Sequence, residues 1–267
     1  MKYALITGAA GGLGQVFVNT LWEAGWFVFA SDIANAPDKA NCLSLFMDIT
    51  NPSSILQAKE TIQTYTDHLD LIVNNAGMQC LTSLVEADIA VLSKIVDVNL
   101  KGMMLVNRTF FDMLYKAKGR IIILSSEIGY HQAEPFHGLY SITKHAVDSY
   151  ADSLRRELNC IGLKVVKLQP GGFKTNIVDE SLKTYDEFLE TTQLYKKSLK
   201  RLRPFIVFNL NKAKPASYIA KTFSKAVVAK NPKNCYRVNN LFVLKLLDLF
   251  GQRGTDLIFK LFLGKNN

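Results

Sequence analysis

From its third residue the chain alternates apolar, β-type runs with helix-patterned stretches, and this alternation limits the fold more than any other feature. The runs Tyr3–Thr7, Trp26–Ala30, Leu43–Met47, Leu69–Val73, Arg120–Leu124 and Lys164–Gln169 read as strands. Helical patterns cover Leu13–Glu23, Pro52–Tyr65, Ser83–Ile89, Val91–Tyr115 and Tyr140–Asn159. Repeated strand–helix units with right-handed crossovers give an α/β fold, a doubly wound parallel sheet with helices on both faces. At 267 residues and 48% hydrophobic, with no linker or internal repeat, the chain is expected to form one domain. Ligands of such sheets bind beyond the carboxyl ends of the strands, so the residues there carry the functional reading.

The alternation lapses at 175–215, a charged insertion expected to contain a helix at Tyr185–Lys200 and to act as a lid. A helix near Ala216–Ala229 follows. The extension 236–267 carries apolar stretches Leu241–Phe250 and Leu257–Leu263, read as packing into a core or interface. No apolar run reaches the roughly 20 residues of a membrane span, and no secretory leader is read at Met1, so a cytoplasmic protein is expected. Four scattered cysteines without a CxxC pair fit a reducing compartment and argue against zinc. Residues 1–182 carry a net charge of −3 and residues 183–267 of +12. A basic third is compatible with a solvated face, an anionic membrane surface or nucleic acid; the expectation is no nucleic acid, no membrane span, and peripheral membrane contact as an open alternative.

Thr7-Gly8-Ala9-Ala10-Gly11-Gly12-Leu13-Gly14 joins the first strand to the first helix, with Gly8, Gly12 and Gly14 in GxxxGxG spacing. Glycine permits positive φ and close backbone approach, so N–H groups at the helix start can face a pyrophosphate. Asp32 closes the second strand, where a carboxylate takes adenosine ribose hydroxyls and repels a 2′-phosphate; NAD is therefore expected over NADP. Asp48 follows the third strand within reach of an adenine amino group, and Asn74-Asn75-Ala76-Gly77 follows the fourth.

Tyr140-Ser141-Ile142-Thr143-Lys144 opens a helix, and the i, i+4 spacing puts phenol and ammonium on one face. Lowering a phenol pKa by about 3 units requires about 4 kcal/mol. An ammonium at about 4 Å supplies that order at an effective dielectric near 20. Tyr140 can then exchange a proton with a substrate hydroxyl. Ser125 or Ser126, ending the fifth strand, can polarise the substrate oxygen, and Asn99 offers a buried amide for a proton-relaying water. Each feature alone has an ordinary reading as a turn, a kink or a surface residue. Their joint order is specific.

That order resembles the short-chain dehydrogenase/reductase family over about residues 3–176. The resemblance implies a single-domain Rossmann fold and a homodimer or homotetramer that associates through the helices holding Asn99 and Tyr140. It implies Tyr140 as acid–base, Lys144 lowering its pKa and holding the nicotinamide ribose, Ser126 orienting substrate and Asn99 in the relay. It also implies cofactor contacts at Gly8, Gly12, Leu13, Gly14, Asp32, Asp48, Ile49, Asn75, Ala76, Gly77, Tyr140, Lys144, Pro170, Gly171 and Thr175. Thirteen residues separate Ser126 from Tyr140, one more than in most members, which points to an altered substrate entrance at Tyr130–His137. The extension resembles, weakly, the steroid- and retinol-dehydrogenase-like branch. A hydrophobic secondary alcohol such as a hydroxysteroid or fatty alcohol is expected, with a 3-oxoacyl thioester on a phosphorylated carrier as the alternative and an NAD-sensing binding protein as the non-enzyme one. His131, His137 and His145 are read as surface residues, and no metal site is expected.

Overall fold

A computed structural model of the chain describes residues 1–34 and 39–264, with the side chains of residues 176–179 outside the description. Seven parallel strands form the main sheet: β1 (Tyr3–Thr7), β2 (Phe27–Asp32), β3 (Cys42–Phe46), β4 (Leu71–Asn74), β5 (Arg120–Leu124), β6 (Lys164–Pro170) and β9 (Cys235–Val238). Their spatial order is β3-β2-β1-β4-β5-β6-β9, which reverses direction between β1 and β4 and opens a crevice at the carboxyl ends there. The register runs Thr7 beside Ser31, Ile6 beside Val73 and Leu124 beside Leu168. β7 (Phe173–Lys174) and β8 (Lys214–Pro215) form a separate parallel pair that brackets the insertion.

Alternate residues along each strand supply two cores, as a pleated strand requires. Leu5, Phe29, Ile72 and Ile121 face α2 (Pro52–Gln63), α4 (Met103–Thr109), α5 (Phe111–Lys116) and α6 (Gly138–Asn159). Ala4, Ile6, Val28, Val73 and Ile122 face α1 (Gly12–Glu23) and α9 (Ala220–Val228), where Phe17 and Phe223 meet at 4.3 Å between ring centroids. Asn51 starts α2 by accepting from the Ser53 and Ser54 N–H groups, with Pro52 at the first helical position.

Several expectations are corrected. Residues 83–88 form a turn in which the Ser83 hydroxyl accepts from Val85 N and Glu86 N, so the helix there begins only as α3 (Ile89–Val96). The long helix through 115 is broken: a π-helical turn at Asp97–Gly102 separates α3 from α4, and Phe110 separates α4 from α5. The insertion holds two helices, α7 (Asn176–Thr191) and α8 (Lys196–Asn211), instead of one at Tyr185–Lys200. They pack on each other through Tyr185, Phe188, Leu199 and Leu202. The extension begins with strand β9, whose four residues were too few to show a period, before α10 (Phe242–Leu249) and α11 (Gly251–Leu263).

Candidate active site

The carboxyl ends of β1, β4, β5 and β6 bring the predicted residues to one crevice. Gly8 has a φ of 65° and lies so close to Ala76 Cα that a side chain there would sit 2.7 Å from it. A Cβ on Gly12 would meet Thr175 at 2.7 Å, and one on Gly14 would meet the Gly8 carbonyl at 2.0 Å. These three glycines let the loop fold over the start of α1, whose first N–H groups have no acceptor within the helix and whose N-cap, Gly11, offers no side chain. Asn75 fixes the loop from below: its amide donates to the carbonyls of Thr7 at 3.0 Å and Gly8 at 2.8 Å, while the Thr7 hydroxyl accepts from Asn75 N and Ala76 N. A cradle of free N–H groups that a Cβ would fill fits a dinucleotide pyrophosphate.

Asp32 stands beside this cradle, its carboxylate accepting from Ala10 N at 2.9 Å and Ala34 N at 3.1 Å. Each oxygen keeps a lone pair for a ribose hydroxyl. Asp48 lies two residues beyond β3 and closes a turn on Thr50, whose N–H and hydroxyl reach Oδ1 at 2.8 and 2.7 Å. The Ile49 side chain turns into the core against Gly102, so only its backbone can line the crevice. Gly171 passes within 2.0 Å (from an added Cβ) of the Asn239 carbonyl, and its N–H donates to Val238 O. Pro170 ends β6, and Leu13, in the first turn of α1, packs partly into the core.

Ser125 and Ser126 follow β5 directly, and the structure separates them. Ser125 Oγ is buried, without a partner and packed against Gly129. Ser126 Oγ accepts from Ile128 N at 3.3 Å and lies near enough to the Tyr140 phenol to draw its pKa down. Lys144, one turn beyond Tyr140 on α6, holds its Nζ 5.5 Å from the phenol ring centroid and donates to Leu124 O at 3.1 Å. Burial pushes the Tyr140 phenol up to about 12, outweighing the effect of Ser126, and pushes Lys144 down to about 8 against the pull of Asp148. In the protein alone, burial dominates the Tyr140 phenol, and the Lys144 ammonium is directed at the Leu124 carbonyl. Asn99 sits in the π-helical turn. Its Oδ1 accepts from Met78 N at 2.8 Å, and its Nδ2 donates to Met78 O at 2.9 Å and Thr143 Oγ at 3.0 Å. The amide thus fastens the loop after β4 to α6, where Thr143 in turn donates to Tyr140 O.

Three residues here were not anticipated. His137, read as a surface residue, stacks on Tyr140 with rings 9° apart and 5.1 Å between centroids. His131 is buried, its Nδ1 2.5 Å from Asp248 on α10. Glu127, only 5% exposed, accepts from Leu241 N at 2.6 Å, and burial raises its carboxyl to about 7. A charged residue directly after a buried strand and the catalytic-type serine was the signal available for Glu127. The histidines carried none.

A sequence profile of the short chain dehydrogenases matches residues 2–186. Similar curated proteins include an NADPH-dependent 1-acyldihydroxyacetone phosphate reductase of Schizosaccharomyces pombe, 31% identical over 70% of this chain and 64% of its own. Mouse retinol dehydrogenase 7 is 34% identical over 66% of this chain and 58% of its own. The chain therefore spans about three fifths of the length of these relatives. Among solved structures, a short chain dehydrogenase/reductase from Burkholderia phymatum in complex with NAD has a TM-score of 0.74 at 21% identity, covering 88% of each chain. Another from Burkholderia cenocepacia in complex with NADP has 0.73 at 20%, covering 99% of this chain and all of that one. With the glycine cradle and the Ser126–Tyr140–Lys144 cluster on the same sheet edge, this chain belongs to the short-chain dehydrogenase/reductase family of oxidoreductases.

Proposed function

We propose that the protein interconverts a hydrophobic secondary alcohol and its ketone with a nicotinamide dinucleotide as hydride partner, Tyr140 serving as the general acid and base. The observation that carries this reading is the pairing of Tyr140 and Lys144 one turn apart on α6, with Nζ 5.5 Å from the phenol ring, at the carboxyl end of β5 where Ser126 follows. The dinucleotide, held by the glycine loop, Asn75 and Thr175 positions and by Lys144 at its ribose, supplies the hydride acceptor or donor and, when oxidised, a positive ring. Ser126 donates to the substrate oxygen and holds it at the phenol. In the reducing direction, Tyr140, neutral at pH 7 with its pKa near 12, gives its proton to the developing alkoxide. In the oxidising direction the phenolate takes the hydroxyl proton, and the cationic surroundings of the complete site make that phenolate accessible.

NAD is the preferred form in this reading. Asp32 places a carboxylate where a 2′-phosphate would have to lie, and Ile33 and Ala34 after it carry no compensating charge. Lys39, the next cation, is held at Asn19 (2.8 Å) and over the Trp22 ring. The NADPH dependence in the name of the fission-yeast relative marks the rival. A hydrophobic substrate is in keeping with a largely apolar open cleft of about 410 Å³ lined by Leu84, Phe136, Gly138 and Phe259, with Ser83 and Lys260 at its wall. It reaches Gly138, two residues before Tyr140. A screen of aliphatic, steroidal and retinoid secondary alcohols and ketones with NAD(H) and NADP(H), read by nicotinamide absorbance, tests the proposal. Turnover of at least one apolar substrate with a preference for NAD(H) is expected. Turnover only of polar substrates, or a clear preference for NADP(H), contradicts the corresponding half.

A further inference from the structure

The helices of the insertion and the extension repeat one outward pattern. On α8, Phe205 and Phe208 face out with Lys212 at the helix end; on α10, Leu246 and Leu249 flank Lys245; on α11, Leu257 and Leu261 alternate with Arg253 and Lys260. Spacings of three and four place each set on a single helix face. Phe208 is 55% exposed, Leu249 81% and Leu261 73%. The opposite faces already supply the packing, through Leu199 and Leu202, Leu244, and Thr255. The three helices adjoin. Phe205 meets Phe262 at 6.2 Å, Arg201 donates to Leu263 O at 3.0 Å, and the Thr255 hydroxyl donates to Leu247 O across the α10–α11 junction.

Charge on these faces is predominantly positive. α8 carries no acidic residue, Asp248 of α10 is turned onto His131 and Gln132, and Asp256 is the one remaining carboxylate among the three helices. We propose that the outward faces of α8, α10 and α11 form a docking surface for an anionic lipid bilayer, on which the protein lies without crossing it. The exposed phenylalanines and leucines sit in the acyl boundary while the interleaved lysines and arginine meet headgroup phosphates and carboxylates. Helices of 16, 8 and 13 residues suit that depth; none in the described residues is long and apolar enough to cross a membrane. A second copy fits this face less well. An isologous contact would oppose the same cations across a desolvated interface, where like charges repel strongly.

Vesicle sedimentation of the full chain tests the surface. Binding is expected to phosphatidylcholine vesicles containing about 30 mol % phosphatidylserine, at least roughly tenfold tighter than to phosphatidylcholine alone, and weakened by salt. Phe208→Ser/Leu249→Ser/Leu261→Ser and, separately, Lys212→Glu/Lys245→Glu/Arg253→Glu should each weaken it by at least roughly tenfold, with turnover of a water-soluble alcohol retained. The charge-reversal variant leaves the apolar faces intact and so stands if the first variant folds poorly. Failure to bind anionic vesicles, or binding that neither variant weakens, overturns the proposal. So does light scattering in which the apolar variant loses a subunit that the native chain retains, which would assign the face to a second copy.

Discussion

The ionisable side chains of the crevice are set by burial before they are set by their neighbours. Tyr140 and Lys144 are both pushed towards their neutral forms, and Glu127 towards protonation. For Glu127 this becomes a stability effect whose sign can be worked out. Its folded pKa, about 7, exceeds the ordinary value of 4.5, so between those pH values the folded chain binds more protons than the unfolded one. Its contribution is complete below pH 4.5 and is lost as pH rises towards 7. Glu127→Gln should remove about 3 kcal/mol of that decline, measured as the difference between the two proteins in urea unfolding at pH 4.5 and 7.5. Equal slopes would mean that Glu127 is ionised in the folded chain. Lys144→Met should lower kcat/KM for alcohol oxidation by about two orders of magnitude and displace its alkaline rise to higher pH. An unmoved pH profile would separate Lys144 from the proton step.

Among the elements, the π-helical turn Asp97–Gly102 does the most for the site. It brings Asn99 inward to hold both backbone groups of Met78 and the Thr143 hydroxyl, joining the loop after β4 to the start of α6. Asn99→Leu leaves both backbone groups of Met78 without their partner, while Thr143 keeps its bond to Tyr140 O, and should cost about 1–3 kcal/mol in urea unfolding. A loss under 1 kcal/mol would show that the turn holds without the amide. Five of the six strands of the alternating pattern were legible because they are buried on both faces, and the edge strand β3, with Phe46 exposed, because its run is apolar and closed by a turn. The glycine loop was legible because Gly8, Gly12 and Gly14 answer a steric demand that no other residue meets. What the sequence hid was tertiary. β9 is too short for a period, the π turn has helical composition throughout, and His131 and Glu127 owe their burial to α10, which lies more than a hundred residues away. Likewise, YSITK spacing announced the pairing of Tyr140 and Lys144 but could not show that Lys144 would be directed at Leu124 O.

At the scale of the molecule, the sheet divides the labour. Its carboxyl edge near β1, β4 and β5 holds the crevice, while the insertion and extension build a second, basic and apolar surface on α8, α10 and α11. The same Ser126–Gly138 loop grips α10 at both ends, through Glu127 on Leu241 N and His131 on Asp248, so the two regions share a support. We further expect a homodimer through α4 and α6, whose exposed Met104 and Ile142 lie outside both regions. Light scattering should give twice the chain mass for the native protein and the single mass for Met104→Asp/Ile142→Asp; a native monomer would refute it. The central claim, that one phenol moves the proton, is tested most directly by Tyr140→Phe. Turnover of the best substrate from the screen should fall about 10²–10⁴-fold, with dinucleotide affinity held within about threefold. Unchanged turnover in that variant would contradict the account.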